Sequence, residues 1–307
     1  MTAYRFCRTD DIALLVDALN RCWAPYFAGD PPMTPAAFKR SIRDLQVWCS
    51  SCMVAFVGAD PIGVLIGAKR PSATLVHKIA VHPDHRRQGH GRHLLASLGS
   101  KLAILGPPRI LAEVPETLAP ACELFSASGY VQEALLTDYL LRREDHDARQ
   151  VVGMPEGHDG RFVIPVTIDD LAANGLLEEA HPQQCWERSV ETLIARKDEI
   201  AGLAVASDER IEAYVLYASR GADSEGEPPA DRQTGAPGVD ILALRSCVED
   251  ERGALSRRLL AGLGASVAGT FRFPKVHPAE ISTELLETLG FRRGGGHRLC
   301  SARARSG

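Results

Sequence analysis

The residues of this chain best suited to chemistry are concentrated in the stretch Arg86-Arg-Gln-Gly-His-Gly91. Two glycines separated by one residue let the backbone turn tightly and approach a ligand closely. Arg86, Arg87 and Arg92 give the same stretch a positive potential. This combination favours the binding of an anion such as a pyrophosphate group.

Two predicted elements would position this stretch. Thr74–Val81 is rich in β-branched residues and predicts a strand, which ends before Pro83 because proline lacks an amide hydrogen. Leucines then recur at helical spacing and predict an amphipathic helix from Gly91 to about Leu105. The first turn of that helix would offer unpaired amides and the positive end of its dipole. A solvated basic turn is the simpler alternative, but the order of strand, arginines, glycines and helix favours an anion site.

The segment from Ile79 to Leu95 resembles the central motif of the GNAT superfamily of acyl-CoA-dependent N-acetyltransferases. The resemblance is specific there and extends from about Tyr4 to Arg143. It implies transfer of an acetyl group from acetyl-CoA to a primary amine by direct attack. It also implies that the glycine loop holds the CoA pyrophosphate and that the edge of the strand bonds the pantetheine arm. The CoA-binding residues expected on this basis are Ile79, Ala80, Val81, Arg86, Arg87, Gln88, Gly89, His90, Gly91, Arg92 and Phe125.

Direct attack needs a base, an oxyanion donor and a proton for the leaving thiolate. His77 and Glu113 are the candidate bases, with Lys78 and Glu116 as further possibilities, and the amide of Ala80 or Val81 is the candidate oxyanion donor. The resemblance implies a general-acid tyrosine in a helix ending Tyr-x-x-x-Gly-Phe. In this chain Phe125 holds the tyrosine position and Tyr130 the phenylalanine position, so Tyr130 is only a weak candidate acid.

The missing tyrosine leaves a second hypothesis open, a non-catalytic acyl-CoA-binding or sensor protein. A nucleotide-phosphate binder of another class is a third, although the chain has neither a P-loop nor a dinucleotide fingerprint. We expect the acceptor to be a small-molecule or peptide amine. Four aromatic residues could line an acceptor pocket or belong to the core: Trp23, Tyr26, Phe27 and Trp48.

Composition narrows the class of protein. The chain has 307 residues, is 45% hydrophobic and 24% charged, and carries a net charge of −4. These values predict a soluble globular protein with no general affinity for nucleic acid. The absence of an apolar run of membrane-spanning length and of a signal pattern predicts a cytoplasmic protein that does not bind membranes. We expect it to be a monomer or a homodimer.

Histidines and cysteines raise the question of a metal. Histidines cluster around the glycine loop at positions 82, 85, 90 and 93, and a zinc site there is one interpretation. Solvated histidines beside an anion site are the simpler one. Cys49 and Cys52 form a Cys-x-x-Cys pair without a second pair at zinc-ribbon spacing. We therefore expect no metal and mostly reduced, buried cysteines.

The chain also contains an apparent internal repeat. The segment Leu94–Gly99 recurs as Leu259–Gly264, and Gly129-Tyr130 is echoed by Gly290-Phe291. Ile79–Val81 is echoed by Leu242–Leu244. The predicted fold class is mixed α/β, with two tandem GNAT-like three-layer domains. The expected divisions are residues 1–145, a linker at 146–160, and residues 161–307 with a disordered loop near 218–238.

The second copy is expected to be degenerate. Aligning Leu94 with Leu259 places Ala254 and Ser256 where the first copy has its two loop glycines. The preceding acidic run, Glu249-Asp-Glu251, would repel a pyrophosphate. The sequence thus predicts that the second loop has lost both its geometry and its charge, and that only the first copy binds acyl-CoA.

Overall fold

The computed structural model describes residues 1–27, 29, 31–142, 160–177, 184–220, 238–267 and 269–304. The chain divides into two compact units. Unit 1 consists of Met1–Leu135 and His297–Gly307, and unit 2 of Leu136–Gly296. The predicted linker lies outside the described residues except for Gly160, and so does most of the predicted disordered loop, between Arg220 and Gly238.

Unit 1 begins as a meander, in which β1 to β4 pair antiparallel in chain order, and β5 then pairs parallel with β4. Its elements are β1 (Thr2–Phe6), α1 (Ile12–Cys22), a 3₁₀ turn (Ala24–Tyr26), α2 (Pro35–Leu45), β2 (Met53–Val57), β3 (Asp60–Lys69), β4 (Thr74–Val81), α3 (His90–Leu105), β5 (Arg109–Pro115), α4 (Ala119–Ala127) and the start of β6 (Val131–Leu141). The predicted strand and the helix after the glycine loop are confirmed, although the helix begins one residue earlier, at His90.

Unit 2 repeats this succession, which confirms the tandem duplication and the mixed α/β fold class. Its elements are β7 (Phe162–Val166), α5 (Ile168–Ala173), a 3₁₀ turn (Trp186–Arg188), α6 (Val190–Ala195), β8 (Ala201–Ala206), β9 (Ile211–Ser219), β10 (Gly238–Ser246), α7 (Ala254–Ser266), β11 (Thr270–Val276), α8 (Thr283–Thr288) and β12 (Arg292–Arg303). Here β10 and β11 form the parallel pair that corresponds to β4 and β5.

The sixth strand of each unit comes from the other half of the sequence. In unit 1, the end of β12 pairs antiparallel with β5, from His297 opposite Pro115 to Arg303 opposite Arg109. In unit 2, the end of β6 pairs with β11, with Leu141 opposite Phe271. The units therefore differ from the contiguous domains expected from the sequence. Strand pairing, rather than chain order, decides which unit a strand completes.

The helix that follows the glycine loop anchors the core of unit 1. Its apolar face is buried through Leu94, Leu95, Leu98 and Leu102, each at most 3% exposed. Burying a leucine side chain contributes about 1.5–3 kcal/mol, so this face fixes α3, and with it the loop at its N-terminus, against the sheet. In the described part of the chain, no helix is both long and apolar enough to cross a membrane.

Candidate active site

The glycine loop turns into α3 through two left-handed residues, Arg87 (φ +61°) and Gly89 (φ +85°). Gly89 is the N-cap of the helix. A β-carbon added at Gly89 would meet no atom within 4 Å, so this glycine faces open space. At Gly91 a β-carbon would lie 3.0 Å from Cδ2 of Leu124 in α4. Gly89 therefore gives access to the first turn of α3, whereas Gly91 allows α3 and α4 to pack closely.

The polar side chains of the loop point outward. Arg86, Arg87, Gln88 and Arg92 are exposed. The guanidinium of Arg87 lies 3.7 Å from Glu123, but both side chains are largely solvated, and such pairs contribute little. The loop thus presents exposed positive charge beside the amides at the start of α3, an arrangement suited to an anion.

His90 is the buried member of the loop. Its Nδ1 lies 2.6 Å from the hydroxyl of Tyr4 in β1, while the ring of His93 packs 3.8 Å from the Tyr4 ring. Burial lowers the pKa of His90, and the nearby His85 and His93 add to this effect. The contact with Tyr4 pins the first turn of α3 to the sheet.

The histidines around the loop make separate structural contacts. The Nδ1 atom of His82 accepts a hydrogen bond from the Asp84 amide at 3.3 Å, which caps the short turn before the loop. Within the described ranges, no group of three His, Cys, Asp or Glu side chains is arranged to hold a metal ion. Cys49 and Cys52 are both buried free thiols, and burial raises the pKa of each, so they are poor nucleophiles.

Strand β4 carries a bulge next to the loop. Ile66 pairs with Lys78 and Gly67 pairs with Val76, so His77 is the extra residue. Before the bulge, Thr74 and Leu75 pair with β5. Among the described residues, no further pairs join β4 to β5. Because a bulge bends its strand, β4 and β5 leave a gap between their C-terminal parts.

The ladder indicates which amides of β4 face this gap. The His82 amide donates to the Ile62 carbonyl of β3 at 2.9 Å. Because hydrogen-bonded positions alternate in an antiparallel ladder, Ala80 also bonds toward β3, whereas Ile79 and Val81 direct their backbone groups toward the gap. Of the two candidate oxyanion donors, only Val81 is oriented in this way, and the sequence overlooked the amide of Ile79.

Both candidate bases lie on the strands that border the gap. His77 is the bulged residue of β4 and Glu113 belongs to β5, and both are half-buried. Glu113 lies opposite Leu299 of β12. The structure therefore brings the two candidates to the same region, while their roles stay predictions.

Phe125 and Tyr130 are both buried side chains. They are 4% and 7% exposed and meet edge to face at 5.0 Å in the core of unit 1. Burial raises the pKa of Tyr130. Its hydroxyl has no hydrogen-bond partner among the described residues. Both rings belong to a core cluster that also includes Val114 of β5 and is packed against Ile79 of β4. A proton-donating role for Tyr130 and a CoA contact for Phe125 stay predictions.

The four aromatic candidates for an acceptor pocket separate into two places. Trp23 and Phe27 stack at 4.6 Å, and the ammonium group of Lys78 lies 5.1 Å from the Trp23 ring. Trp48 bonds through its amide to Gly67, near the far end of β3, and is 54% exposed. Trp48 therefore does not join the other aromatic side chains.

Tyr26 makes a contact that the sequence did not predict. Its hydroxyl donates a hydrogen bond to the Val81 carbonyl at 2.7 Å, and the guanidinium of Arg86 lies 5.6 Å from its ring. Burial raises the pKa of Tyr26. The 3₁₀ turn after α1 thus contacts both the open edge of β4 and the glycine loop.

Residues 15–130 match the acetyltransferase (GNAT) family. The chain is similar to two proteins named mycothiol acetyltransferase. The one from Thermomonospora curvata is 34% identical over 125 residues, covering 40% of each chain. The one from Salinispora arenicola is 35% identical over 146 residues, covering 45% of each chain. The match therefore spans less than half the length of these relatives.

Solved structures resemble the whole fold. A tandem GNAT protein from the clavulanic acid biosynthesis pathway has a TM-score of 0.64 at 17% identity, over 99% of both chains. A putative acetyltransferase from Pyrococcus horikoshii has a TM-score of 0.59 at 15% identity, over 99% of this chain and 90% of the other. Residues 15–130 are thus similar to GNAT acetyltransferases, and the fold of the whole chain is similar to that of a tandem GNAT protein.

Proposed function

We propose that unit 1 transfers an acetyl group from acetyl-CoA to a primary amine. The observation that carries this proposal is the gap between β4 and β5, which lies beside the accessible first turn of α3. Two kinds of backbone group meet there, the amides of the glycine loop and the outward-facing edge of β4 at Ile79 and Val81. This combination suits a ligand with both a pyrophosphate and an amide-containing arm.

The chemistry assigned to this chain follows from those groups. The amine nitrogen attacks the thioester carbonyl, and the C–S bond breaks while a C–N bond forms. His77 or Glu113 takes the amine proton, directly or through water. The N–H groups of Ile79 and Val81 are available to stabilise the charge that develops on the carbonyl oxygen. The departing thiolate takes up a proton, from solvent or from a side chain other than the buried Tyr130.

We propose that the acceptor is a small molecule. The relatives named mycothiol acetyltransferase support this choice, and so does the compact aromatic group of Trp23 and Phe27 next to β4. A peptide amine is the alternative acceptor.

A non-catalytic acyl-CoA-binding protein is the second candidate function. It is favoured by Phe125 at the position of the expected general-acid tyrosine, because phenylalanine has no proton to donate to a leaving thiolate, and by the burial of Tyr130. Release of free thiol from acetyl-CoA, measured with a panel of small amines and peptides, separates the two. Thiol release that depends on one acceptor supports the enzyme. Binding of acetyl-CoA with no acceptor-dependent release supports the binding protein.

The site itself is tested with a matched pair of glycine variants. Gly89 and Gly129 both have left-handed backbones (φ +85° and +82°), and a β-carbon at either meets nothing within 4 Å. Gly129 lines a surface cavity with Arg109, where β5 begins, away from the C-terminal ends of β4 and β5. Gly89→Glu is expected to abolish stabilisation by acetyl-CoA, and Gly129→Glu to retain it. Equal loss in both variants, or stabilisation by ATP but not CoA, would contradict the assignment.

A further inference from the structure

The gap between β4 and β5 has a counterpart in unit 2. Ile241 pairs with Tyr217 and Ala243 with Leu216, so Leu242 is a bulged residue in β10. Strand β10 pairs with β11 only over Gly238–Asp240 among the described residues. The second halves of β10 and β11 therefore border a gap, as β4 and β5 do.

In unit 2, the Arg188 side chain fills this gap. The residue is completely buried. One guanidinium nitrogen donates to the Leu242 carbonyl of β10 at 3.2 Å, and another to the Lys275 carbonyl of β11 at 3.0 Å. The guanidinium thus joins the two strands where they no longer pair directly.

Glu280 fixes Arg188 in this position. Its two carboxylate oxygens accept hydrogen bonds from Arg188 at 2.7 and 2.6 Å, and its side chain is 3% exposed. Burial alone would raise the pKa of Glu280, but the charge and hydrogen bonds of Arg188 more than offset this and lower it. The Phe273 ring lies 4.7 Å from the guanidinium. Arg188 and Glu280 therefore form a closely packed ion pair in which both side chains are charged and the two charges cancel.

A side chain also occupies the N-terminus of α7. The carboxylate of Asp250 accepts hydrogen bonds from the amides of Leu255 at 2.7 Å and Ser256 at 3.2 Å. It also accepts one from the Ser256 hydroxyl at 2.8 Å. At the start of α3, by contrast, the described residues include no side chain that accepts a hydrogen bond from the amides of His90 or Gly91.

We propose that unit 2 is a self-occupied copy of the ligand-binding fold. The guanidinium of Arg188 takes the space between the diverging strands, and the carboxylate of Asp250 takes the helix N-terminus. Unit 2 then binds no acyl-CoA, and the chain holds one. That the excluded ligand is acyl-CoA rests on the proposed function of unit 1. That Arg188 and Asp250 occupy the site in unit 2 rests on the contacts within unit 2.

Hydrogen exchange of the full chain, read by mass spectrometry with and without CoA, tests this proposal. CoA is expected to protect residues 79–95 and to leave residues 242–260 unchanged. Protection of 242–260 in the wild-type chain would overturn the proposal. If CoA protects neither segment, the proposed function of unit 1 fails, and the following variants decide the occupancy on their own.

Arg188→Met combined with Glu280→Gln removes both buried charges at similar volume. We expect faster exchange in β10 after Leu242 and in β11 around Lys275, because the link between them is lost. Asp250→Ala should speed exchange of the Leu255 and Ser256 amides about tenfold, while Asp250→Asn, which retains an acceptor, should change it less. The two Asp250 variants keep the proposal testable if the Arg188→Met, Glu280→Gln double variant does not fold. Unchanged exchange in the variants that fold would overturn it.

Discussion

Units 1 and 2 share the backbone features of the site and differ in what occupies them. Each has a bulge in its fourth strand, at His77 and at Leu242, and in each the parallel pairing stops before the bulge. In unit 1 the edge at Val81 is met by one tyrosine hydroxyl from the protein surface. In unit 2 a buried guanidinium spans the strands. The comparison shows that a fold can keep the geometry of a binding site while its own side chains close it.

The glycine loops of the two units also share their backbone geometry and differ in access. Arg252 has a φ of +54°, as Arg87 has +61°, and each helix begins after a left-handed glycine, Gly253 and Gly89. The expectation that the second loop has lost its geometry is therefore wrong, because the cap glycine is displaced by one residue rather than replaced. The two helix N-termini differ in access. A β-carbon at Gly253 would lie 2.6 Å from Leu285, whereas one at Gly89 would meet no atom within 4 Å.

Breaking the buried ion pair should give the largest effect. Arg188→Met leaves Glu280 buried without its partner, so unit 2 is expected to lose about 3–5 kcal/mol of stability. The double variant with Glu280→Gln should recover most of that loss. Chemical denaturation monitored by circular dichroism measures both, and an equal loss in the single and double variants would show that the charge pair is not the cause.

Tyr130→Phe makes unit 1 resemble unit 2, where Phe291 holds the corresponding position at 3% exposure. The Tyr130 hydroxyl is buried without a partner in the described residues, and such a group costs about 1–3 kcal/mol. We therefore expect Tyr130→Phe to raise the melting temperature and to leave acetyl transfer unchanged. A fall in turnover without a fall in stability would show that the Tyr130 hydroxyl takes part in acetyl transfer.

Asp250→Ala should destabilise unit 2 by about 0.5–2 kcal/mol, the usual range for loss of a helix cap. Asp250→Asn should cost less. Because the two substitutions differ mainly in the remaining acceptor, thermal denaturation of the pair isolates the capping effect. If Asn and Ala are equally destabilising, the negative charge rather than the hydrogen bonds is responsible.

The smallest expected effect is on the pH dependence of the stability of unit 1. Burial lowers the pKa of His90 below its ordinary value of 6.5, so the folded chain resists protonation more than the unfolded chain does. This stability is present above about pH 6.5 and is lost as the pH falls toward the lower folded pKa. His90→Gln should flatten that dependence in melting curves. A steeper curve in His90→Gln would contradict this origin.

Local patterns in the sequence predicted the strand, the loop and the helix, because each depends on residues close together in the chain. They also predicted the duplication through the leucine-rich helices. They could not predict the exchange of β6 and β12, since long-range pairing between similar strands has no local signal. The echo between Ile79–Val81 and Leu242–Leu244 is misaligned, because the bulges make Leu242 the counterpart of His77 in the repeat.

The same limit applies to individual side chains. Nothing near Arg188 in the sequence indicates Glu280 as its partner, and the pair forms only when β10 and β11 come together. The phosphate contact of Gly91 stays a prediction, and its close approach to Leu124 of α4 is a packing requirement that the motif alone does not reveal. The burial of Tyr130 likewise follows from how α4 lies on the core, and a motif alone does not show it.

Calorimetric titration of the full chain with acetyl-CoA tests the central claim most directly. We expect one site per chain in the wild type, one site in Gly129→Glu and none in Gly89→Glu. Two sites per chain, or one site that survives Gly89→Glu, would contradict it.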